Sequence, residues 1–178
     1  MSRPYLPATD MQRFVTELAA FVGFGDEDVA RVRRTAPVVL AREAALTAAL
    51  YEHFLKFPFS ARFFLGEDGA PDRARLERRR HSLARWLRET AEAALTQEHG
   101  YYLLTIGLSH SHRPQGPGGV VPAHLVIGAM SLTQTALAAA FAEELPPADA
   151  LAASQSWNKL LLVHLAALLL GYLPPRPA

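Results

Sequence analysis

The chain has 178 residues, 50% of them apolar and 20% charged, with no cysteine and a formal net charge of +1. That length supports one domain, residues 1–178, with a core of its own. The absence of cysteine excludes disulfide scaffolds, thiol nucleophiles, zinc fingers, iron–sulfur clusters and cysteine-linked cofactors. A near-zero charge carries no global signature of nucleic acid or of an anionic membrane, so neither is expected as a partner.

The opening MSRPYLPATD has two prolines and no apolar stretch. It does not read as a signal peptide, and the cytoplasm is the expected compartment. Helical periodicity dominates the rest of the chain, with little period-2 alternation. From Thr9 a first helix carries Met11, Phe14, Val15, Leu18 and Phe21 and stops at Gly23-Phe24-Gly25. Asp26 caps a shorter helix with acidic Glu27 and Asp28 in its first turn and Arg33 and Arg34 in its last, complementing the helix dipole. Pro37 suits the first turn of a third helix, which runs to about Phe57 with Leu46, Leu50, Phe54 and Phe57 on one side. Pro58 ends it.

A short turn with Phe59, Phe63 and Phe64 leads into the loop Gly66-Glu67-Asp68-Gly69. The next helix is expected from near Pro71 to about Leu95, its outer face laced by Arg73/Glu77, Arg85/Glu89 and Arg88/Glu92 at i,i+4 spacing. Gln97 to His110 reads as another helix, broken by Arg113-Pro114-Gln115-Gly116-Pro117-Gly118-Gly119. After Pro122 a long helix reaches about Glu144, and Pro146-Pro147 separates it from a last one ending near Leu173. The most apolar run, Leu160 to Leu173, is interrupted by His164. It falls short of the roughly 20 residues that cross a bilayer, so a buried or interface helix is expected. The sum is an all-α chain of about eight helices, counting one short turn, an architecture that includes globins.

Seven histidines carry most of the remaining chemistry. They form no HExxH motif and no cluster with carboxylates at metal spacing. His110 stands apart because Leu103, Ile106, Gly107 and His110 share one helix face. An imidazole on an apolar stripe just before a helix break suits an axial ligand to haem iron, and Gly107 would let the helix lie close to a flat macrocycle. His112 is a rival, but at i+2 it points roughly 160–200° away from His110 round the helix, and Arg113-Pro114 follow at once. His81, on the preceding long helix, is a second alternative, approaching the iron from the other side. His164, within an apolar helix, reads as a satisfied core or interface residue. Trp86 and Trp157 read as core.

These residues also carry a resemblance. The stretch Ile106-Gly107-Leu108-Ser109-His110, a Gly-rich loop, and then Val121-Pro122-Ala123-His124-Leu125-Val126-Ile127-Gly128-Ala129-Met130 resemble the globin-coupled-sensor lineage, and most closely its single-domain branch, the protoglobins. Leu50-Tyr51-Glu52-His53-Phe54, Phe64-Leu65-Gly66-Glu67-Asp68-Gly69-Ala70-Pro71, Leu76-Glu77-Arg78, Arg85-Trp86-Leu87 and Trp157-Asn158-Lys159 come in the family's order. The likeness spans about Thr9 to Leu173. It implies a globin-like fold with an extra N-terminal helix and a noncovalent haem b.

The resemblance makes His110 the proximal iron ligand and Tyr51 the distal residue facing a bound gas. Leu50, Phe54, Leu83, Leu87, Leu103, Ile106, Gly107 and Ile127 are the expected haem-lining residues. Two positions depart from the family pattern: Leu50 stands where protoglobins typically have tryptophan, and Leu83 where they have phenylalanine on the distal helix. The Tyr51 hydroxyl can donate to a ligand that gains negative character. Arg79 or Arg80, one turn before Leu83, can reach a haem propionate. The run Arg78-Arg79-Arg80 otherwise reads as a solvated helix face rather than a nucleic-acid patch.

The last two long helices mix Ala136, Ala138, Ala139, Ala140, Ala166 and Ala167 with leucines nearly all round. Such helices need burial on two sides, and a homodimer through them is expected; the resemblance implies the same. Three function classes stay open: a binder of O₂, CO or NO; a haem enzyme using the same pocket for peroxide, nitrite, NO or related group-transfer chemistry; and a haem-free signalling module. With only Pro174-Pro175-Arg176-Pro177-Ala178 after Leu173, no output domain is expected in this sequence, and a sensor would need a separate partner or a longer parent protein.

Overall fold

The computed structural model describes residues 5–173; the tail Pro174 to Ala178 lies outside the described residues. Eight α-helices succeed one another: α1 (Met11–Phe21), α2 (Asp26–Leu40), α3 (Glu43–Leu55), α4 (Pro58–Ala61), α5 (Arg73–Ala91), α6 (Gln97–His112), α7 (Ala123–Glu144) and α8 (Pro147–Leu169). Three single turns of 3₁₀ helix, at Pro7–Thr9, Gly116–Gly118 and Leu170–Tyr172, complete the described residues, which contain no strand. The fold is all-α, as the periodicity predicts.

Helix α8 is the axle. It packs on α7, α6, α2 and α1, and Ala153, Trp157, Leu160, Leu161, Val163 and Ala167 are fully buried along it. These join Met11 and Val15 of α1, Val32 and Val39 of α2, Leu103 of α6 and Phe141 of α7 in one apolar cluster. The apolar run ending near Leu173 is therefore core, and it gives way at Leu170 to the last 3₁₀ turn. By length and hydropathy, α7 is the one helix among the described residues that could cross a membrane, and only 22% of its most apolar window is buried within the chain.

Pro37 does not start a helix. It sits inside α2, which runs on to Leu40, so Arg33 and Arg34 lie mid-helix and α3 begins only at Glu43. Proline removes one i→i−4 bond, but Val32, Ala36 and Val39 extend one buried stripe across it. The turn just before is anchored as well. Thr35 Oγ1 donates to the Arg31 carbonyl at 2.8 Å and accepts the Trp157 indole N–H at 2.9 Å, pinning α2 to α8. Tertiary packing outweighs the local signal. Likewise α5 starts at Arg73, where Asp72 Oδ1 accepts the Arg75 N–H at 2.9 Å, and stops at Ala91. Of the expected surface pairs, Arg85–Glu89 forms at 2.7 Å, while Arg88 reaches across to Glu43 of α3 instead of Glu92.

Candidate haem cavity

Helices α3, α5, α6 and α7 enclose a cavity of about 570 Å³ that also touches the C-terminal half of α8. That is within the usual range for small-molecule and cofactor sites, roughly 300–1,000 Å³. Its wall is mostly apolar, with Leu50, Phe54, Leu83, Leu103, Ile106, Met130 and Leu168 among the lining residues.

His110 lines this cavity from the last turn of α6. Its Nδ1 lies 2.7 Å from the Ile106 carbonyl oxygen one turn back. A carbonyl can only accept, so Nδ1 carries the proton and Nε2 keeps a free lone pair, the tautomer a metal ligand needs. Burial pushes the imidazole below its usual range, and Arg79 adds to this, opposing the bond to Ile106. The ring is therefore neutral at pH 7. Beyond His110 the glycine-rich loop closes at once, with the Val121 N–H donating to the His110 carbonyl at 2.9 Å.

Tyr51 of α3 also lines the cavity, with 8% of its surface exposed. Phe64 and Phe54 meet its ring edge-on, with centroids 5.4 and 5.8 Å away, and stack on each other at 6.0 Å. Edge-to-face packing of this kind holds the ring without a polar partner. Desolvation pushes the phenol up to about 12, with Arg79 and Arg80 opposing it. Tyr51 is thus a donor, never a phenolate, near neutrality.

Among the expected haem-lining residues, the structure brings Leu50, Tyr51, Phe54, Leu83, Leu103, Ile106 and His110 to this one cavity, and Arg79 with them. Three others sit elsewhere. Gly107 faces α8: a β-carbon there would stand 1.9 Å from the Leu168 carbonyl oxygen, and one on Gly171 would stand 2.5 Å from the Leu108 amide nitrogen. Its missing side chain serves a backbone-to-backbone contact between helices rather than a macrocycle. Ile127 is 47% exposed and turned outward; Val126, Ala129 and Met130 are the α7 residues on the wall. Leu87 lines a smaller neighbouring void of about 170 Å³ with Leu46, Leu50, Leu83 and Leu137.

Arg80 does not line the cavity, and its Nε is buried without a partner. His112 is exposed beside Ser111 and does not line the cavity, whereas His81 is exposed at the cavity rim. His164 is buried at 2% exposure, but it is not satisfied as expected. Thr90 donates its hydroxyl proton to the Trp86 carbonyl at 2.8 Å, so its 3.5 Å approach to His164 Nδ1 makes that nitrogen the donor, and Nε2 is left with no partner. Burial and nearby His99 depress His164 to about 3.

Sequence reasoning missed Gln115, whose Oε1 accepts from Arg79 while its Nε2 donates to the Ser109 and Arg113 carbonyls at 3.0 Å each. No periodic signal marks a loop glutamine. The role of Phe64 was more accessible, since it lies one short helix and a turn beyond Phe54.

The family model described as Protoglobin matches residues 11–176. The chain belongs to the protoglobin family. The family is one of haem-binding globins, and His110, Tyr51 and the apolar wall suit such a group. Solved structures show the same fold. The globin domain of the Geobacter sulfurreducens globin-coupled sensor superposes with a TM-score of 0.75 at 20% identity, over 88% of this chain and 96% of that one. The globin domain of E. coli DosC, in both its ferric and its ferrous form, gives 0.70 at 13% identity over 88% and 97%. No curated protein matches the chain.

Proposed function

We propose that this protoglobin holds haem b noncovalently, with His110 Nε2 on the iron, and reversibly binds O₂, CO and NO on the Tyr51 side. The observation that carries the reading is the His110 Nδ1–Ile106 contact of 2.7 Å, which leaves Nε2 free in the wall of a 570 Å³ cavity. The Nδ1–H···O=C bond fixes the ring's orientation and raises its basicity toward a metal. When bound, the haem would supply the iron chemistry that takes up a diatomic gas. Tyr51 contributes a neutral O–H donor held by two phenylalanines, which favours a ligand that gains negative character over one that does not. The apolar wall excludes water from both.

The same reading places the protein in the cytoplasm as a homodimer through α7 and α8. Ile127 of α7 and Leu151 and Leu162 of α8 are exposed, and small residues (Gly128, Ala139, Ala142) leave α7 room for a close helix neighbour. Light scattering is expected to give twice the chain mass; a concentration-independent monomer would remove the dimer and leave the haem site standing. The haem reading is tested by absorption spectra of purified protein with and without dithionite and CO. A sharp Soret band that shifts on CO addition is expected, and failure to take up haem would end it.

A further inference from the structure

The cavity contains no carboxylate. Its lining includes two arginines, Arg79 and Arg85, and not one aspartate or glutamate. Arg85 is neutralised outside the cavity by Glu89 at 2.7 Å. Arg79 is not: among the described residues its guanidinium meets only the uncharged Gln115 amide, and no carboxylate comes within ion-pair distance. A guanidinium half-withdrawn from water without a counter-ion is costly unless an anion completes it.

A second donor faces the same space. The Tyr51 hydroxyl has the aromatic contacts described above and no hydrogen-bond acceptor among the described residues. Arg79 lies on the cavity face of α5, one turn before Leu83, and its charge reaches both Tyr51 and His110. Two donors, one of them a full cation, line one cavity in which neither meets an anionic partner.

We infer that Arg79 and Tyr51 together form an anion-binding subsite, which makes small anionic ligands of ferric haem, such as azide, fluoride and nitrite, a preferred ligand class of this cavity. The inference rests on the haem reading above and adds to it a charge selectivity. The guanidinium contributes planar, always-charged donors and Tyr51 a neutral one, so an anion with two acceptor atoms gains most. Gln115 holds Arg79 when no anion is present and exchanges with it without leaving a charge unpaired.

The test uses haem-loaded ferric protein and tracks azide, fluoride and neutral imidazole by absorption titration. Arg79→Gln is expected to weaken azide and fluoride at least tenfold while changing imidazole less than twofold, and Arg79→Lys, which keeps the charge, to recover most of the loss. Unchanged azide and fluoride affinities in Arg79→Gln, accompanied by faster haem loss to an acceptor globin, would assign Arg79 to a propionate and overturn the subsite. Parallel weakening of azide and imidazole would show a collapsed cavity wall and overturn it equally. A wild-type protein that takes up no haem removes both readings, whereas haem uptake without anion selectivity removes only this one.

Discussion

The two sides of the cavity are built differently. The α6 side is tight: Gly107 and Gly171 bring α6 and the end of α8 into backbone contact, and Leu103, Leu160, Leu161 and Ala167 behind it are almost wholly buried. The α3–α5 side is loose. Behind Leu50 and Leu83 lies a further void of about 170 Å³, and of the polar groups this side presents, Tyr51 has no hydrogen-bond acceptor and Arg79 no carboxylate among the described residues. One wall is built to hold a group in a fixed place, the other to leave room and donors for something that comes and goes.

Breaking the tight wall should cost most. Gly107→Ala puts a β-carbon into the Leu168 carbonyl, where backbone rather than a flexible side chain must yield. A loss of about 3 kcal/mol in urea unfolding is expected. Gly25→Ala, whose β-carbon meets nothing within 4 Å at an extended backbone position just before α2, is the control and should stay within about 1 kcal/mol.

His164 tests the same wall by pH. Its native pKa, near 3, lies below the ordinary value, so the unfolded chain binds the proton first. Stability is complete above about pH 6.5 and declines as pH falls toward 3, by about 1.4 kcal/mol per pH unit. His164→Leu removes that dependence and also an unpartnered buried nitrogen. At pH 5 the variant should be about 2 kcal/mol less acid-destabilised than wild type, relative to pH 7. Identical acid limbs would show that His164 does not titrate this way.

On the loose wall the effects are functional. Tyr51→Phe should speed O₂ release about tenfold, a loss of about 1.4 kcal/mol, with CO release nearly unchanged. Equal O₂ off-rates would remove the hydroxyl from ligand binding. The smallest contrast applies one substitution to both walls. Leu83→Phe has the neighbouring void to enter and should cost less than about 1.5 kcal/mol, whereas Leu160→Phe, fully buried and lining neither cavity, should cost about 1–3 kcal/mol by overpacking.

The helical class, the Gly-rich break after α6 and the His110 stripe are legible in the sequence because each rests on short-range periodicity or on glycine and proline chemistry. The start of α3 is not, because Pro37 is a strong local stop that the buried stripe Val32–Ala36–Val39 overrides from across the molecule. Gly107 is recognisable as a close-approach position, but not which neighbour approaches: Leu168 and Gly171 are more than sixty residues away. Ile127 and Leu87 illustrate a related limit. Each shares a helix with cavity residues, and a rotation of one position decides which side chain reaches the cavity. The unpaired state of Arg79 is invisible in a sequence where glutamates flank it at Glu77 and Glu89.

The central claim is that His110, and not the equally neutral and more deeply buried His164, supplies the bond that anchors the haem. It is tested by absorption spectra of His110→Gly and His164→Gly, each titrated with haem and then with imidazole. The account predicts that His110→Gly loses the wild-type Soret band and regains it with imidazole, while His164→Gly keeps it throughout. A wild-type spectrum in His110→Gly, or imidazole rescue seen only in His164→Gly, would contradict it.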